Sequence, residues 1–133
     1  MSAKPRILLV GERHAALREI LHRHASLAEA EDIPEMLHWL ESDRFDAILC
    51  DWQFSAGTWK EALRAIRSLH CDTPAIVISR TQRVEEGIQE WTEVLNAGAF
   101  DLLLAPSIEY SVLSVMEHAI ASGEARALMA AGR

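Results

Sequence analysis

Long hydrophobic runs are missing from this chain: the longest are about four to six residues, against the ~20 that a helix needs to cross a bilayer. The amino terminus, MSAKPRILLVGER, holds neither a signal-peptide core nor a small-residue cleavage site, so a cytoplasmic protein is expected, away from membranes. Basic residues are scarce as well. Thirteen Lys and Arg face twenty Asp and Glu, for a net charge of −7, and this argues against a surface that binds nucleic acid phosphates directly. Cysteine is limited to Cys50 and Cys71, which make no disulfide framework and no metal-ligand spacing and suit a reducing compartment. The histidines do not cluster either. His22 and His24 are two apart on a helical pattern and point to different faces, and His70 has no partner at metal-ligand spacing, so neither zinc nor a catalytic histidine is expected.

What is present is a regular alternation. The 133 residues, half of them apolar and a quarter charged, suffice for one domain with a real core. That domain is expected to span residues 1–121, with 122–133 continuing the last helix or forming a tail. Short apolar runs stand at RILLV (6–10), SLAEA (26–30), DAILC (46–50), PAIVIS (74–79) and DLLL (101–104). Between and after them, apolar residues recur at helical spacing: Leu17, Ile20, Leu21 and His24, then Trp59, Leu63 and Ile66, then Val84, Ile88, Trp91 and Leu95, and finally Leu113, Met116 and Ile120. Each set predicts one apolar stripe, with Trp39, Trp59 and Trp91 as packing residues. Thr58-Trp59-Lys60-Glu61 has the form of a capping box, Asp32 and Ser107 are simpler caps, and Asn96-Ala97-Gly98 reads as a helix stop.

Five strand-then-helix repeats predict a three-layer α/β/α sandwich. Strands joined through helices run parallel with right-handed crossovers, and a parallel sheet covered on both faces accounts for runs that are apolar throughout. In such sheets ligand sites lie beyond the carboxyl ends of the strands. Gly11-Glu12, Asp51, Ser79 and Ala105-Pro106 would therefore share one edge. Trp52, directly after Asp51, is expected on a loop with its indole exposed at the rim.

The segments ILLVGE, AILCDWQ, AIVIS and GAFDLLLAP, in this order and spacing, resemble the receiver domain of bacterial response regulators over residues 5 to about 121. The resemblance implies a flavodoxin-like (βα)5 fold with a five-stranded parallel sheet in the order 2-1-3-4-5. It implies that Asp51 is the phosphoacceptor, that the Ser79 hydroxyl contacts the phosphoryl oxygens, and that Glu12, Asp51 and the Gln53 carbonyl hold Mg²⁺. It also implies partners: a histidine kinase or phosphotransfer protein upstream, a downstream protein, and a possible homodimer through the fourth helix, fifth strand and fifth helix. Three positions depart from the family pattern. Gly11 replaces one of an acidic pair, Ala105 replaces a lysine, and Leu102 stands where an aromatic is usual.

The chemistry predicts an atypical switch. A carboxylate attacks a phosphodonor poorly unless a cation offsets the repulsion between the two anions. With Gly11 the Mg²⁺ site is short of one acid, so weak binding is expected, and Gly11→Asp is expected to strengthen it. Ala105 leaves the phosphoryl group without its usual ammonium, unless Arg13 or Arg80 substitutes. The expected function is a non-enzymatic receiver-fold signalling module of a two-component phosphorelay. The alternative is a pseudo-receiver that binds its partner independently of phosphorylation. A hydrolase using Asp51 as nucleophile is the weakest reading, because Gln53 stands where a second carboxylate would be needed and VGERHA replaces a glycine-rich phosphate loop.

Overall fold

The computed structural model describes residues 4–11, 15–54, 57–79, 84–104 and 109–131. In chain order the elements are β1 (Arg6–Val10), α1 (Ala15–His24), β2 (Ser26–Ala30), α2 (Ile33–Ser42), β3 (Ala47–Asp51), β4 (Gln53–Phe54) and β5 (Gly57–Thr58). Then follow α3 (Trp59–Ser68), β6 (Ala75–Ile78), α4 (Val84–Asn96), β7 (Asp101–Leu103) and α5 (Glu109–Ala131). Five strands pair in parallel in the order β2-β1-β3-β6-β7, while β4 and β5 form a separate antiparallel hairpin. Each of the five expected apolar runs supplies one strand of the main sheet. Counted among those five strands alone, the order is the flavodoxin-like 2-1-3-4-5.

Because side chains alternate across a strand, each apolar run feeds two cores. Leu8, Val10, Ile48, Cys50, Ala75 and Val77 meet Met36 of α2, Trp59, Leu63 and Ile66 of α3, and Val94 of α4. Ile7, Leu9, Ala47, Leu49, Ile76 and Ile78 meet Leu17, Ile20 and Leu21 of α1 and Val112, Met116 and Ala119 of α5. The sandwich thus has α2, α3 and α4 on one side and α1 and α5 on the other.

Helix ends follow the local chemistry in most places. Asp32 caps α2 by accepting from the Glu35 N–H at 2.9 Å, and Pro34 fits the first turn. α4 ends at Asn96, and Gly98 takes φ +100° while its N–H bonds the Leu95 carbonyl. At α3 the expected capping box does not form. Thr58 makes no side-chain cap, because it is paired to Gln53 in the hairpin, and the Trp59 N–H is taken by the Trp52 carbonyl at 3.2 Å. Ser107 lies outside the described residues.

The apolar stripe of α4 also differs from expectation. Ile88 is 60% exposed and Trp91 48%, and the residues turned to the sheet are Gly87, Glu90 and Val94. Ile88, Trp91 and Leu95 do sit at helical spacing, one step out of phase with the buried set. His24 is likewise exposed rather than packed, and it joins Arg23 in bonding Glu109, which ties the end of α1 to the start of α5. α5 continues to Ala131, and the last buried residue among its described side chains is Ala119, with Leu128 and Met129 exposed.

Candidate functional site

The ends of β1, β3 and β6 bring Gly11, Asp51 and Ser79 to one edge of the sheet. Val10 is in register with Cys50, and Asp51 with Ile78, so Gly11 and Ser79 follow directly on the strands flanking Asp51. Asp51 is half-buried and its Oδ1 accepts the Trp52 N–H at 2.9 Å. Gly11 has φ +132°, and its N–H bonds the Ala30 carbonyl at 2.8 Å. A Cβ at this position would stand 2.7 Å from Asp51 Cβ and 3.0 Å from Oδ2. Glycine is therefore required twice over, by the backbone conformation and by the lean of Asp51 across the end of β1. This corrects the expectation for Gly11→Asp: the added side chain has no room beside Asp51 and would displace the carboxylate it is meant to assist.

Behind Asp51 the strand is sealed. Cys50 is fully buried, and burial, with the Asp51 charge second, pushes its thiol far above the ordinary range, so it is inert as a nucleophile. Ahead of Asp51 the chain turns into the β4–β5 hairpin. Trp52 is half-buried rather than exposed at a rim, with its indole against Trp59 at 5.4 Å between ring centroids. Trp59 N–H bonds the Trp52 carbonyl, which makes Trp52 and Trp59 the hydrogen-bonded pair of the ladder. By antiparallel alternation the next pair, Gln53 and Thr58, is non-hydrogen-bonded, so the Gln53 carbonyl is turned out of the hairpin.

Ser79 is 2% exposed, and its N–H bonds the Leu103 carbonyl of β7 at 2.7 Å. Its hydroxyl donates to Glu90 Oε1 of α4 at 2.5 Å. Glu90, 9% exposed, was not singled out from the sequence. The signal available was its phase: it lies three residues after Gly87 and four before Val94, on the side of α4 that faces the sheet. Leu102, at the position where the family favours an aromatic, is buried in the core shared with α3. Glu12, Arg13, Arg80, Ala105 and Pro106 lie outside the described residues.

The donor set for a divalent cation is lean. Among the described residues no group of three or more His, Cys, Asp or Glu side chains could hold a metal ion. Asp51 and the outward Gln53 carbonyl are hard oxygen donors of the kind Mg²⁺ takes, and Mg²⁺ commonly keeps several waters with one or two carboxylates. The residues present thus fit a thin Mg²⁺ site. Among the described residues no helix is long and apolar enough to cross a membrane.

Comparison with known proteins agrees with this geometry. The family model for the response regulator receiver domain matches residues 11–116. Among solved structures, the signal receiver domain of a LuxO repressor protein from Vibrio parahaemolyticus superposes with a TM-score of 0.79 at 15% identity, covering 96% of this chain and 98% of that one. The receiver domain of the sensor histidine kinase PA1611 from Pseudomonas aeruginosa, solved with a magnesium ion in its active site cleft, gives 0.74 at 23% identity, covering 90% and 99%. The chemotaxis response regulator CheY4 of Vibrio cholerae gives 0.69 at 22% identity, covering 88% and 99%. A comparison with curated protein sequences finds no match. A match over 106 of 133 residues, on a sheet of the same order, makes the chain a member of the response regulator receiver domain family of two-component signalling.

Proposed function

We propose that this receiver domain accepts a phosphoryl group on Asp51, at a site with weak Mg²⁺ affinity and an impaired or atypical switch. The observation that carries the reading is the half-buried carboxylate at the carboxyl end of the central strand, with Gly11 on one flank and Ser79 on the other. Receiver domains are in general non-enzymatic signalling modules that act with histidine kinases or phosphotransfer proteins. A donor of that kind upstream, a downstream protein partner, and action in the cytoplasm follow for this chain as parts of the proposal. Its receiver unit is taken to end near residue 121, with 122–133 as an extension.

Asp51, the Gln53 carbonyl and Glu12 are the residues that would hold Mg²⁺, which would offset the repulsion between the carboxylate and an anionic phosphodonor. Asp51 is the nucleophile. Its lean over Gly11 directs the carboxylate along the strand ends, and the Trp52 N–H fixes one oxygen. Ser79 is the hydroxyl that would meet the phosphoryl oxygens. The exposed Ile88, Trp91 and Leu104 favour the face of α4, β7 and α5 as the docking surface for the downstream partner or a second copy.

Intact mass after incubation with Mg²⁺ and a small acyl phosphate tests this reading. A gain of one phosphoryl group that is absent from Asp51→Asn is expected; no gain over the parent mass would favour the pseudo-receiver. That second reading is favoured by one observation, the Ser79–Glu90 bond, which engages the hydroxyl that a phosphoryl group would need.

A further inference from the structure

A second concave site lies at the opposite end of the sheet from Asp51. Beside Ala75 at the start of β6 and Phe100 just before β7 is a cavity of about 350 Å³, within the roughly 300–1,000 Å³ of small-molecule sites. Leu63 and Ile66 of α3, with Ala75 and Ala99, give it a buried apolar floor, and Arg67 of α3 and Arg126 of α5 line it as well. Asp72 is its acid. Two guanidiniums against one carboxylate leave the lining net positive in a chain whose net charge is −7.

The two guanidiniums are held but not neutralised. Arg67 Nη2 donates to the Ala97 carbonyl at 2.6 Å, and Arg126 Nη1 donates to the Asp72 carbonyl at 3.3 Å. Arg6, Arg18 and Arg23 each pair with a carboxylate instead, as Lys60 does with Glu93. An arginine carries five N–H donors in a planar fork that matches the oxygens of phosphates and carboxylates, so each of these two keeps most of its fork for a ligand. Gly98 makes room for the Arg67 guanidinium, with which a Cβ at that position would collide. Arg126 stands on the stretch of α5 beyond residue 121, so the extension of the last helix supplies part of the cavity.

We propose that this cavity binds a small molecule through an oxyanion, a phosphate or a carboxylate, held by Arg67 and Arg126, with the body of the molecule on the apolar floor. An oxyanion bonded to both arginines ties the extension of α5 to α3. The site is separate from the Asp51 edge, and it needs neither Mg²⁺ nor phosphorylation.

The test is titration of the full chain without Mg²⁺, at fixed ionic strength, with inorganic phosphate and in parallel with succinate, followed by the backbone amide resonances of Thr73, Ala75, Gly98 and Ala99. Saturable shifts are expected with at least one probe, with a Kd on the order of 1 mM for a bare ion. Saturation by phosphate alone would identify a phosphate ligand, and saturation by succinate alone a carboxylate. Arg67→Gln and Arg126→Gln should each weaken binding by about tenfold or more, the scale of losing a charged hydrogen-bond partner. Arg126 is exposed, so its variant tests the site even where loss of the Arg67 bond to Ala97 disturbs the end of α4. Arg44→Gln removes the same charge at an exposed position outside the cavity and should change affinity by less than about twofold. An equal loss in Arg44→Gln would show general attraction to the surface and overturn the proposal. So would the absence of saturable shifts with either probe, or shifts confined to Gly11 and Ser79 at the other end of the sheet.

Discussion

α3 and α4 lie side by side in chain order on the same face of the same sheet, yet they meet it with opposite chemistry. α3 turns Trp59, Ala62, Leu63 and Ile66 inward, and Trp59 is only 2% exposed. α4 turns Gly87, Glu90 and Val94 inward and leaves Ile88 and Trp91 outside. Full burial of a large apolar side chain stabilises by roughly 1.5–3 kcal/mol, and α4 forgoes that for two of its largest residues. α3 is built to hold the core, whereas α4 places an acid against Ser79 and an apolar surface toward solvent. The inner side of α4 touches Ser79 and its outer side is apolar, an arrangement in keeping with the docking role proposed for this face.

The contrast is most easily broken at the two tryptophans. Trp59→Ala should cost about 3–5 kcal/mol in chemical denaturation, as for other large-to-small changes in a core. Trp91→Ala, losing little packing and one bond from its indole to Asp101 Oδ1 at 3.2 Å, should stay within roughly 0.5 kcal/mol of the parent. It should instead weaken any self-association measured by sedimentation. Equal losses of stability at the two positions would remove the distinction between the helices.

Gly11 tests the same distinction on the site side of the sheet. Gly11→Ala forces a side chain into φ +132° and against Asp51, so a loss of about 1–3 kcal/mol is expected. Gly11→Asp should lose at least as much and bind Mg²⁺ no better than the parent; a tighter Mg²⁺ titration would show that Asp51 does not need that space. Ala105→Lys, by contrast, adds a cation after β7 and is expected to tighten beryllium fluoride binding by on the order of 1 kcal/mol in a site open to water. An unchanged affinity would mean that the missing lysine is not what limits the switch.

The smallest effect is expected at the α1–α5 contact. Hydrogen bonds from His24 and then Arg23 hold the Glu109 carboxyl below its usual range. Its folded form binds a proton less readily than its unfolded form, so the contribution is present above the unfolded value and fades as pH falls through the carboxylate range. The group is exposed, and solvent screens it. Glu109→Gln should therefore leave the melting temperature nearly unchanged at neutral pH and flatten its slope slightly in acid.

These contrasts also show what could be read from the chain. The five strands were legible because runs such as RILLV and AIVI are apolar on both faces, which only a doubly covered parallel sheet requires. Gly98 and Asp32 were legible because their roles are local: Gly98 takes a positive φ, and the Asp32 side chain accepts an N–H three residues on. The β4–β5 hairpin was not, since two-residue strands carry no periodicity, and it took Thr58 away from the cap that its spacing suggested. The stripe of α4 was misread because Ile88, Trp91 and Leu95 are more hydrophobic than Gly87, Glu90 and Val94, and periodicity follows hydrophobicity rather than function. Of the site, Asp51 and Ser79 stand at strand ends; Glu90 is signalled only by its phase with Gly87 and Val94, which the more hydrophobic Ile88 and Trp91 mask.

The most direct measurement is the indole N–H resonance of Trp91, assigned by its loss in Trp91→Phe, followed as Mg²⁺ and beryllium fluoride are added. The account predicts that this resonance moves together with mimic binding in the parent and stays still in Asp51→Asn. If the mimic binds at Asp51 and the Trp91 resonance does not move, the docking role proposed for this face is contradicted, and the inverted face of α4 has another cause.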